Sequence, residues 1–102
     1  MTKKSIITDR LDRCLICGNF QGIEIHHCIH GIAKRKLADK YKLLVGLCYS
    51  HHRGHNGIHG KNGAKLDLEL KKLAQKSWEY HYGSREDFIH IFGKSYILEE
   101  DE

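Results

Sequence analysis

Two Cys/His knuckles, two short apolar segments between them, and a later stretch with apolar residues at helical spacing predict an α+β fold. The architecture expected is a small metal-stapled core followed by C-terminal helices. With 102 residues, the chain is one small domain at a size where apolar burial alone gives only marginal stability, so a staple is physically useful. The core is expected over about 14–60, the helical part over about 64–93, and an acidic, solvated tail over 99–102. There is no proline, repeat or low-complexity tract to suggest a second domain or a stiff linker.

Taken in order, residues 1–13 are polar apart from Ile6-Ile7 and are expected as a short helix or strand covering part of the core. Cys14 to Gly18 reads as a knuckle whose two thiolates face one centre, with Gly18 supplying backbone freedom. Ile23-Glu24-Ile25-His26 alternates apolar and polar residues and predicts a strand. Residues 28–42 carry Gly31 and the basic run Lys34-Arg35-Lys36 with Lys40 and Lys42, an exposed, partly helical loop suited to phosphate contacts. Leu43 to Leu47 predicts a second strand running into Cys48, where a helix starts and is cut short by Gly54 and Gly57. Leu66, Leu70, Leu73, Ala74 and Trp78 mark an amphipathic helix whose default role is core packing. Gly83 ends it, Ser84 is a good N-cap, and Phe88 to Phe92 form a second short helix closed by Gly93.

Charge is unevenly spread. Residues 1–65 carry twelve Lys/Arg against four Asp/Glu, whereas residues 66–102 carry five against nine. The basic half is also the Cys/His half, which favours a polyanionic partner, nucleic acid before membrane; a plain solvated surface is the alternative. No N-terminal apolar stretch resembles a signal peptide or a membrane span, so a cytoplasmic location with reduced thiols is expected, and disulfides are the weaker reading.

Cys14, Cys17, Cys48 and His51 form two pairs, each separated by two residues, and two such knuckles can offer four ligands to one tetrahedral zinc ion. A redox Cys-x-x-Cys pair or buried apolar thiols would not account for the accompanying Cys-x-x-His. Cys28 reads as a small core residue. Seven of the nine histidines lie between positions 26 and 59, a density that packing explains poorly. His26-His27 at a strand end and His52 beyond the second knuckle can converge if the strands form a hairpin with a helix folded across it. Neutral imidazoles around an open coordination position would hold a divalent cation with one side left for a phosphate.

From Cys14 to His59, the order Cys-x-x-Cys, His pair on the first strand, then Leu-Cys-x-x-His-His opening a helix resembles the zinc-stapled HNH endonucleases, whose fold is the ββα-metal or His-Me finger. Leu66 to Gln75 and Ser84 to Gly93 resemble the tail of small phage and prophage HNH proteins. The resemblance implies a structural zinc on Cys14, Cys17, Cys48 and His51. It further implies a catalytic divalent ion (magnesium, manganese, nickel or zinc) on His26, His52 and His59, with His55 and Asn56 as alternatives to His59. His27 would be the general base. Gly57-Ile58-His59, similar to the Gly-Val-His ending of the phage relatives, favours His59. Two departures stand out: His51 replaces a commoner cysteine ligand, and Tyr41, Lys42 and Leu43 occupy the neighbourhood of an asparagine that braces the base-carrying loop in the family.

The function expected on this resemblance is metal-dependent hydrolysis of DNA phosphodiester bonds, with Lys34, Arg35, Lys36 and Arg53 as phosphate contacts and a partner protein as one route to targeting. The alternatives are a zinc-stapled nucleic-acid-binding or adaptor module without chemistry, and an interaction protein that uses the helix face and acidic tail. His30 reads as a loop residue before a phosphate contact or a partner to a metal ligand.

Overall fold

The computed structural model describes residues 4–31, 33–54, 58 and 63–97. In chain order the elements are strand β1 (Glu24–His27), helix α1 (Lys34–Tyr41), strand β2 (Leu44–Leu47), helix α2 (Tyr49–His52), helix α3 (Gly63–His81) and helix α4 (Arg85–Phe92). The strands pair antiparallel with Glu24 opposite Leu47, Ile25 opposite Gly46, His26 opposite Val45 and His27 opposite Leu44. The result is a small α+β domain with a two-stranded sheet. His55, Asn56, His59 and the acidic tail 99–102 lie outside the described residues. No described helix is long and apolar enough to cross a membrane.

The expected first strand is present but sits one residue later, which brings both histidines of the pair into it. The stretch expected as a partly helical loop contains a complete two-turn helix, α1. Only Ala38 is fully buried on it, but Tyr41 reaches across to the helical back, its ring 5.8 Å from Trp78 and 5.9 Å from Phe92. Lys42 then turns left-handed at φ 60, and its N–H closes onto the carbonyls of Ala38 and Asp39. The Leu43 N–H returns to the Ala38 carbonyl at 2.8 Å, and the Cys28 N–H reaches the Leu43 carbonyl at 3.0 Å. The end of α1 is thereby tied to the ends of both strands.

Of residues 1–13, expected as a short helix or strand, the described part, 4–13, forms neither, yet it does cover the core. Ser5 Oγ donates to the Leu44 carbonyl at 2.6 Å, the Ile6 N–H to the Lys42 carbonyl at 3.0 Å, and Ile6 and Ile7 pack on buried side chains. At the back, Leu70, Ala74 and Trp78 bury a stripe of α3 against Phe88 and Phe92, whose rings stack at 4.3 Å. Leu73 was expected on that stripe but is 38% exposed, because its azimuth lies on the flank of the row through 70, 74 and 78. The α4 prediction holds to the residue: Ser84 and Asp87 form a capping box, and Gly93 ends the helix in the left-handed region.

Candidate metal centre and histidine cleft

The first knuckle is a tight turn in which the Gly18 N–H closes onto the Cys14 carbonyl at 2.9 Å, with Gly18 at φ 77. It rests on β2: the Leu15 N–H donates to the Gly46 carbonyl at 2.9 Å. The approach is close enough that a Cβ on Gly46 would stand 2.6 Å from the Arg13 carbonyl oxygen. The second knuckle is the start of α2, where Cys48 is the N-cap and its carbonyl accepts from the N–H groups of His51 and His52.

These two turns bring the Cys14, Cys17 and Cys48 sulfurs and a His51 ring nitrogen within 4.8 Å of one another. Cys17 and Cys48 sulfurs are 3.8 Å apart, and His51 Nδ1 stands 3.2 Å from Cys48 Sγ and 3.7 Å from Cys14 Sγ. A tetrahedral zinc with ordinary bond lengths requires S to S separations of about 3.8 Å and S to N of about 3.6 Å, so the four residues fit that ion and can hold a metal such as zinc. Burial pushes the Cys14 thiol up, but the backbone N–H groups of Cys48, Cys17 and Ile16 outweigh it and bring the value down to about 6, favouring the thiolate that a metal binds. Cys28 stands apart from this cluster: fully buried, its thiol is pushed up to about 12 chiefly by burial, as a core residue's would be.

Behind the cluster, β1, α1 and α2 surround an open cleft of about 400 Å³ lined by Glu24, Ile25, His26, His27, His30, Arg35, His52 and Arg53. Alternation along β1 turns consecutive residues to opposite faces. Glu24 and His26 face α2: the His26 ring is 5.2 Å from that of His52, and 5.9 Å from that of His30. His27 is directed to α1, where its Nε2 donates to Asp39 Oδ1 at 2.8 Å.

The sequence reading missed the carboxylates. Glu24, Asp39 and Asp67 are the only acidic residues from position 24 to position 67, and each takes one histidine at 2.8 Å. His52 Nδ1 meets Glu24 Oε1, His27 Nε2 meets Asp39 Oδ1, and His30 Nε2 meets Asp67 Oδ1. The scarcity of acids in a histidine-rich segment was the available signal. The hydrogen bond from His52, with the charge of Arg53 alongside, holds the Glu24 carboxyl below its ordinary value. At Asp67 burial pushes upward, but Lys71 and His30 prevail and the value is lowered.

Of the basic residues expected at a phosphate, Arg35 and Arg53 line the cleft, with Arg53 also paired to Glu24 at 3.1 Å. Lys34 and Lys36 lie on α1 outside the lining. No protein-family model, curated protein or solved structure matches the chain.

Proposed function

We propose that this protein is a metal-dependent endonuclease of the HNH type that hydrolyses phosphodiester bonds in DNA, working in a cytoplasm such as that of a phage host. The observation that carries the reading is the convergence of His26, His27, His30 and His52 with two arginines in one open cleft. The β1–β2–α2 arrangement beside a Cys₃His cluster supports a ββα-metal core with zinc as its staple.

In this reading His27 takes a proton from water, the water oxygen forms the new bond to phosphorus, and the bond to the 3′ oxygen breaks, leaving 5′-phosphate and 3′-hydroxyl ends. Imidazole is the side chain most often used as a general base in enzymes working near neutral pH. His26 and His52, with His59 as the third ligand expected from the sequence, would hold the divalent ion, which would supply charge stabilisation at the phosphate and the leaving oxygen. Arg35 offers its guanidinium to the phosphate across the cleft. Recognition of DNA by shape, or through a targeting partner protein, suits a chain this small.

A second reading, a zinc-stapled nucleic-acid-binding module without chemistry, is favoured by one feature: His27, His30 and His52 each already have a carboxylate partner. Nicking of supercoiled plasmid by protein that retains zinc but is stripped of its cleft metal separates the two. Magnesium, manganese or nickel is added back, beside His27→Ala purified identically. The nuclease reading expects metal-dependent relaxation by wild type and none by the folded variant. Salt-sensitive DNA binding by both with no cleavage by either overturns it in favour of the module.

A further inference from the structure

A general base needs a fixed ring, and the His27 ring meets one acid on α1, Asp39, at 2.8 Å. We infer that Asp39 is the positioning residue for His27: its carboxylate fixes the imidazole with the proton on Nε2 and leaves Nδ1 as the nitrogen that accepts the proton from water. The inference rests on the nuclease reading above.

Three observations lead there. The His27 Nε2 to Asp39 Oδ1 distance is 2.8 Å, and the His27 side chain is only 11% exposed, so the ring has little freedom to find another partner. Asp39 is the one acid in the run from Lys34 to Lys42, which otherwise carries Lys34, Arg35, Lys36, Lys40 and Lys42. A carboxylate placed there for solubility alone would not need to point at an imidazole twelve residues back in the chain. Finally, the backbone bonds of Lys42 and Leu43 onto Ala38 and Asp39, and of Cys28 onto Leu43, fix the last turn of α1 against the strand end that carries His27. Donor and acceptor are therefore both mounted on a rigid frame. A neutral imidazole bonded through one N–H presents its other nitrogen as acceptor, so the Asp39 contact selects the tautomer as well as the ring orientation.

The test compares Asp39→Asn, which keeps an acceptor oxygen, with Asp39→Leu, which does not. Two readouts are taken on zinc-loaded protein: the ring nitrogen shifts of His27 by long-range ¹⁵N–¹H NMR, and plasmid nicking with manganese. Wild type and Asp39→Asn are expected to show the Nε2–H tautomer and to nick within about threefold of one another. Asp39→Leu is expected to show mixed tautomers and to lose about 10–100-fold in nicking rate with unchanged DNA affinity, by analogy with the loss seen when the hydrogen-bond partner of a metal-ligating histidine is removed. Wild type that nicks beside an Asp39→Leu variant nicking equally fast, or a His27 tautomer indifferent to the substitution, overturns this inference and leaves the nuclease reading standing. Wild type that nicks nothing overturns the nuclease reading and this one with it.

Discussion

His51 and His52 are neighbours on α2, yet they serve different sites. His51 turns Nδ1 to within 3.2 Å of Cys48 Sγ in the Cys₃His cluster, while His52 places Nδ1 2.8 Å from Glu24 Oε1 at the cleft. A helix of four residues cannot hold itself together, so its position depends on what anchors its ends. The Cys₃His cluster and the cleft are therefore mechanically joined.

Removal of zinc is accordingly expected to disorder the cleft as well as the knuckles. Treatment with a strong chelator should abolish cooperative thermal unfolding, since metal binding in a domain this small is a large part of the folding free energy. Cys17→Ala and Cys48→Ala should lose the ion in the same way. Cys28→Ala should keep one zinc per chain and cost only about 1 kcal/mol, the scale of a small core truncation. Zinc quantification and melting curves on the three variants check this, and loss of zinc from Cys28→Ala would contradict the ligand set.

Gly46 should be intolerant of a side chain. An added methyl would stand 2.6 Å from the Arg13 carbonyl oxygen and 2.7 Å from that of Leu11. Both obstacles are backbone, so the knuckle would have to move off β2 as a unit. Gly46→Ala is expected to cost about 1–3 kcal/mol and to speed zinc release to a competing chelator. Denaturant titration at saturating zinc gives the first number, and metal transfer kinetics give the second.

What could be read from the sequence was whatever is fixed locally. The two knuckles, the β1 alternation and the Ser84 cap are set by residues within a few positions of one another; the knuckles and the cap appear where expected and β1 lies one residue later. Helix α1 was only half legible because its stability comes from elsewhere: Ala38 buried under the strands and Tyr41 seated among Trp78 and Phe92. The scarcity of acids singles out Glu24, Asp39 and Asp67, but which histidine each would take was not legible. Glu24 and His52 are 28 residues apart, and His30 and Asp67 are 37 apart, so only the tertiary fold brings them together.

The Asp67 pairing predicts a pH dependence with a definite sign. Its carboxyl lies below the ordinary value in the folded protein, despite burial, through Lys71 and His30. A lowered folded value means the unfolded chain takes up the proton first as pH falls. The stabilisation is thus fully present above the unfolded carboxylate value of about 3.9 and is lost as pH drops through the lower folded one. Asp67→Asn should therefore be less stable than wild type at pH 5, and that margin should shrink as pH falls below about 4. Its carboxylate signal in wild type should titrate at a pH below that of an exposed aspartate. Carbon-detected NMR titration and denaturant curves at matched zinc check both statements.

Glu24 offers the sharpest test of the cleft as a metal site. Its carboxylate fixes the His52 ring through Nδ1 at 2.8 Å and also engages Arg53 at 3.1 Å. Carboxylates that orient a ligating histidine in this way raise its basicity and fix its ring, and their loss typically costs 10–100-fold in metal affinity. Glu24→Ala on zinc-loaded protein should therefore bind cobalt or nickel at the cleft about 10–100-fold more weakly. Its DNA affinity without added metal should stay level or rise, because a negative charge has gone and the Arg53 guanidinium is released. Calorimetric titration with cobalt beside a DNA-binding isotherm separates these effects. Unchanged cobalt affinity would mean that His52 does not ligate in the cleft, whereas a parallel loss of cobalt and DNA binding would indicate that the variant had lost its fold.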